Sequence, residues 1–154
     1  MSLDLKHADF YLRCATSAIF ALSGAVKASG LLSAKMKPFG YPAYFPEALG
    51  LLEIVLAAIN VGAEAGLGGQ VIPYNIWANR VISVIMGGAL YQHKLQGDGG
   101  YAVPALLLFF SAIVPGLRGD TSSLYESIGA GLVLGSIGWA ICSQVASAPK
   151  AKSK

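Results

Sequence analysis

Charge is what this sequence has least of. Only 12% of its 154 residues are Asp, Glu, Lys or Arg, about half the share usual in soluble domains. The formal net charge of +3 is small and scattered, with no basic stripe, which excludes a nucleic-acid partner. Two cysteines, Cys14 and Cys142, make no CxxC and no metal-ligand spacing. They fall toward opposite ends of the helical layout read below, which excludes an internal disulfide. The two histidines, His7 and His93, separate in the same way, so paired haem ligation is excluded as well. Walker loops, GxSxG, GxGxxG and CxxCH are all missing. The chain is therefore expected to bind no metal, haem or covalent cofactor of its own, a bound lipid or quinone being compatible with it.

What it has in abundance is apolar length. Hydrophobic residues make up 55% of the chain, and the mean hydropathy is +0.59. Five runs, at about 11–32, 46–67, 74–95, 101–117 and 124–146, have or approach the roughly 17–25 residues that a spanning helix needs. Lipid cannot satisfy backbone hydrogen bonds, and the runs lack the alternation of barrel strands, so helices are predicted. Asp4 and Asp9 argue against a transit peptide, and the first run reads as a retained span. The sequence thus predicts an all-α, polytopic transmembrane bundle: four helices over residues 1–118, an added helix over 119–148, and a basic tail over 149–154. With five spans, Lys35, Lys37, Lys94 and the tail lysines Lys150, Lys152 and Lys154 share one face, here called face B. Lys6, Arg13 and Arg118 mark the opposite face A. The lysine excess puts the first loop and the C-terminus on the cytoplasmic, matrix or stromal side.

The stretch "GLLEIVLAAI" carries one acid, Glu53, deep in an apolar run. Counting about 1.5 Å per residue, Lys27 in the first span lies at nearly the same depth from face B. An intramembrane ion pair of Lys27 and Glu53 is expected, and it suits architecture as well as chemistry. The same arithmetic puts Arg13, Glu64 and Arg80 together as a second polar cluster at face A. The third span ends "MGGALYQHKLQGD", where Tyr91 and His93 with Glu47 form a candidate site for a quinone or a lipid headgroup. In the fifth span Gly131, Gly135 and Gly138 make a small-residue face suited to close helix contact. That face is expected to dock on another membrane subunit or a second copy of the chain, in addition to the surrounding lipids.

These stretches resemble the DoxX-like family of small four-helix membrane proteins. "LRCATSAIFALSGAVKASG", "PEALGLLEIVLA" and "MGGALYQHKLQGD" match its first helix, its glutamate-led second helix and the end of its third. The resemblance covers about residues 10–118 and carries over Arg13, Lys27, Glu47, Glu53, Tyr91 and His93, while the fifth span departs from it. Family members include membrane subunits of quinone-linked sulfur oxidoreductases, parts of redox-stress complexes and, in animals, an assembly chaperone for nicotinic receptors. The leading expectation is a non-catalytic subunit or assembly factor of a larger membrane complex. A quinone-linked redox subunit is the alternative, and a small transporter, which would want an inverted repeat, is a third.

Overall fold

The computed structural model describes residues 5–62, 72–117 and 121–146. Among these every regular element is a helix. The order is α1 (Leu5–Ala28), α2 (Ser33–Met36) running into a 3-10 turn (Lys37–Phe39), α3 (Phe45–Val61), α4 (Ile72–Gln96), α5 (Ala102–Ile113) with a 3-10 turn (Val114–Gly116), and α6 (Thr121–Val145).

The boundaries have local causes. The helix α1 stops four residues short of the first predicted span because Gly30 takes φ 77° and its N–H bonds back to the Lys27 carbonyl. That left-handed conformation favours glycine and ends a helix. The chain then bends by 86°, so that residues 33–39 lie across the end of the bundle. Pro46 opens α3, where its missing N–H has no intrahelical partner to lose. Gly97, at φ 64°, closes α4 by donating to the His93 carbonyl.

Two sets of helices result. The first is the α1–α3 pair, and the second joins α4 to α6 and α5, with α3 meeting α4 between them. Both sets are drawn together by glycine. A Cβ on Gly24 would lie 2.6 Å from the Gly50 carbonyl oxygen, and one on Gly50 would lie 2.5 Å from the Ala28 nitrogen. A Cβ on Gly87 would collide with the Gly135 carbonyl, and one on Gly138 with the Val84 carbonyl. Backbones can approach this closely only where side chains are absent.

This corrects the expectation for the fifth span. Its glycine face is turned inward: Gly131 packs on Ala112 of α5, Gly135 on Leu108 and on α4, and Gly138 on α4. The added helix completes the chain's own bundle with the very residues expected to dock elsewhere. The reason is that α4 offers its own glycines, Gly87 and Gly88, at the matching height.

Three layers run along the bundle. At face A lies a polar layer, in the middle an apolar core of Phe20, Leu56, Ala78, Ile82, Met86 and Leu107, and at face B an aromatic cap. The cap joins Phe39 and Tyr41 of the first connection to Ala146 after α6, with Tyr91 and Leu95 packed beside them. Polarity is reversed relative to a water-soluble fold. Arg13, Glu53, Asn60, Asn79, Ser83 and Ser111 are almost wholly buried, while Leu22, Leu51, Trp77, Phe109 and Val133 face outward. Among the described residues one helix, over Ser122–Val145, is by length and composition apolar enough to cross a membrane by itself, and α1 with its bent continuation forms a second candidate. The apolar helix over Ala102–Gly116 is shorter.

Candidate functional site

Between the two helix sets, toward face B, lies a cavity of about 460 Å³. Its walls are apolar, with Ile19 and Phe20 from α1, Ile85 and Met86 from α4, Leu107 from α5 and Ile141 from α6. Polar groups gather nearer face B: Ser23 and Lys27 from α1, Glu53 from α3, and Gln92, His93 and Gln96 from α4. Lys35 and Met36, on the segment bent across the bundle end, also line it.

Lys27 and Glu53 form an ion pair there, Nζ donating to Oε1 at 2.5 Å, and Nζ also donates to Ser23 Oγ at 2.8 Å. Glu53 is 1% exposed. The α1–α3 glycine contact sets this geometry, because it brings Gly24 to within van der Waals reach of the Glu53 side chain and Gly50 to that of Lys27. The pair leaves one oxygen over. Glu53 Oε2 is buried with no hydrogen-bond partner, and so are both the Nε2 and the Oε1 of Gln92 on the facing helix. Buried polar atoms without partners are rare in folded proteins and call for a reason.

The three residues predicted as a quinone or headgroup site do not come together. His93 reaches the cavity rim, where Nδ1 sits 2.8 Å from Asp98 Oδ1. Asp98 also accepts the Gly100 N–H, and that bond, followed by His93, holds its carboxyl below the usual carboxylate range. Glu47 instead accepts a hydrogen bond from Ser33 Oγ at 2.5 Å, tying α3 to α2 outside the cavity lining. Tyr91 turns to α6, its ring edge-on to Trp139 with centroids 5.2 Å apart. Lys94 stands 5.2 Å over the same indole. Neighbouring helical residues point about 100° apart, so Gln92 faces the cavity where Tyr91 does not. Gln92, Ser23 and the glycines of the α1–α3 contact were missed, although an amide beside the Tyr-His-Lys run was visible in the sequence.

The predicted face-A cluster also divides. Arg13, 2% exposed, donates three bonds to the Asp9 carboxylate at 3.0–3.2 Å and one to the Asn60 carbonyl at 2.9 Å. Asn79 Nδ2 donates to Asn60 Oδ1 at 2.7 Å, and Asn60 Nδ2 donates to Ser17 Oγ at 3.2 Å. Arg80 takes no part in this. It points to α6, donating to the Ser127 carbonyl at 2.8 Å. Glu64 lies outside the described residues. The face-A layer is thus an Arg–Asp–Asn staple, and its neighbouring cavity is only about 10 Å³, room for no more than a water.

Near the mouth, Tyr41 stacks on Phe45 at 4.7 Å and is buried, and burial pushes its phenol further above its ordinary range. It therefore caps the site as a neutral ring. Among the described residues no three His, Cys, Asp or Glu side chains group as a metal site.

An all-helical bundle with polar groups inside, apolar groups outside and a cavity ending on a buried ion pair defines the class to which the chain is assigned. The DoxX-like family matches residues 11–114. The chain belongs to that family, which suggests a membrane protein. Neither a curated protein nor a solved structure matches it.

Proposed function

We propose that the chain is a multi-pass membrane protein that holds a small amphiphile, of quinone or single-chain lipid type, in the cavity between its two helix sets. One observation carries this reading: a cavity with apolar walls ends on buried polar atoms, Glu53 Oε2 and the Gln92 amide, that no protein group satisfies. Sites for small molecules have this composition, apolar walls with a few polar groups that fix orientation. A volume of about 460 Å³ suits a ring or a headgroup with part of its tail.

The reversed polarity supports the multi-pass part of the proposal. A bilayer solvates Leu22, Leu51, Trp77, Phe109 and Val133 where water would not, and it favours burying Arg13 and Glu53 inside, each with a partner. Face B, with its lysines, is then the cytoplasmic, matrix or stromal side. An accessory-subunit role is consistent with this, the chain then holding the amphiphile for another protein of the same membrane.

The test is extraction and mass spectrometry of what co-purifies with the protein from mild detergent. A specific quinone or lipid should accompany the wild type at near one copy per chain. Ala89→Phe, which fills the cavity from α4, should remove it while leaving the helical circular dichroism unchanged. An Ala89→Phe protein that keeps the same molecule would overturn the reading.

A further inference from the structure

We infer that the cavity selects a headgroup carrying hydrogen-bond donors, hydroxyls above all, over one that presents carbonyl oxygens alone. This rests on the amphiphile reading above and adds the chemistry of the head.

The argument is a count of donors and acceptors. Glu53 Oε1 is occupied by Lys27 Nζ, while Oε2 is buried and open. A carboxylate only accepts. Wherever the proton shared with Lys27 sits, Oε2 stays an acceptor. On the facing helix Gln92 is 8% exposed, with one acceptor, Oε1, and the Nε2 donors all unpartnered. Lys27 spends two of its three N–H donors on Ser23 and Glu53 and keeps one.

A carbonyl-only head would satisfy the Gln92 amide nitrogen and the spare Lys27 N–H. It would leave Glu53 Oε2 and Gln92 Oε1 without a partner beneath the bound head, at a cost comparable to a lost hydrogen bond for each. A hydroxyl both donates and accepts. A head with two hydroxyls can therefore serve the two stranded acceptors and still accept from the donors. Ser23 and Tyr41, whose side chains also line the cavity, make no bond to either acceptor, and Ile19, Phe20, Ile85, Met86 and Leu107 are apolar.

The experiment measures binding of three tail-matched probes to the full chain in nanodiscs under argon: a decyl hydroquinone, the corresponding decyl benzoquinone, and a monoacylglycerol of equal tail length. The hydroquinone is expected to bind at least tenfold more tightly than the benzoquinone. Monoacylglycerol binding near the hydroquinone's supports a lipid hydroxyl head, and much weaker binding supports an aromatic one. Gln92→Leu should narrow the hydroquinone preference severalfold. Glu53→Gln, where it folds, puts a donor at the open position and should raise benzoquinone affinity. Equal affinity for hydroquinone and benzoquinone overturns the inference and leaves the amphiphile reading standing. A tenfold preference that survives Gln92→Leu unchanged also overturns it. Failure of all three probes to bind overturns both.

Discussion

Lys27 and Glu53 meet because their helices touch: a Cβ placed on Gly50 of α3 would lie 2.8 Å from the Cβ of Lys27 on α1. The close approach converts two residues at similar depth into a 2.5 Å ion pair beneath the apolar wall of the cavity. Removing one member of a buried pair strands the other and costs about 3–5 kcal/mol, whereas replacing both by apolar groups is often far milder. Glu53→Leu should therefore destabilise the bundle more than Lys27→Met/Glu53→Leu does. Unfolding in mixed micelles checks this, and additive single effects would refute it.

The glycine contact between α4 and α6 makes a second, position-specific expectation. Gly138→Ala drives a methyl into the Val84 carbonyl, and Gly87→Ala drives one into Gly135, whereas a Cβ on Gly129 meets nothing within 4 Å. Overpacking of this kind costs about 1–3 kcal/mol, so both inner variants should melt well below wild type. Gly129→Ala should be neutral or slightly stabilising, as alanine is the better helix former. The oligomeric state on native gels should not follow these losses if the glycine face is internal.

At face A, Asn60 is the joint between three helices, contacting Arg13 and Ser17 of α1 and Asn79 of α4. Asn60→Ala keeps the backbone carbonyl that Arg13 uses but removes the acceptor of one Asn79 amide hydrogen, leaving Asn79 only its bond to the Asn75 carbonyl. A loss of about 1–3 kcal/mol is expected, against almost none for Ser136→Ala on the exposed side of α6. Denaturant titration of the two variants makes the comparison.

The α4–α5 turn should respond to acid. Asp98 has its carboxyl lowered by the Gly100 N–H and then by His93. A lowered carboxylate stabilises its turn fully above the ordinary Asp value of about 3.9. The contribution is lost as pH falls through the depressed value. The Gly100 amide resonance should therefore titrate with a midpoint below that of an unperturbed aspartate, and Asp98→Asn should abolish the titration.

The depth of each residue could be read from the sequence, but its direction around the helix axis could not. Counting from face B placed Lys27 level with Glu53, and each of the five apolar runs holds a helix, although the one in the fourth run has only 12 residues. Counting also placed Arg13 beside Arg80, yet their helices turn them to Asn60 and Ser127 respectively. Tyr91 and Gln92 differ by one position and face different neighbours, and periodicity is weak on helices that are apolar nearly all round. Gly24 and Gly50 have no second glycine three or four positions away, so nothing local marked them as a contact. The stop at Gly30 was missed because apolar residues continue beyond it to Leu32.

The reversed polarity of the bundle also bears on how its stability depends on temperature. The curvature of a soluble protein's stability against temperature comes from the heat capacity of apolar surface newly wetted on unfolding. Here Leu22, Leu51, Trp77, Phe109 and Val133 already face outward in the folded state, and in a bilayer they stay in hydrocarbon when the helices separate. Little of that heat-capacity increment remains. The separation of its helices should follow a nearly straight line with temperature, with no return toward disorder in the cold.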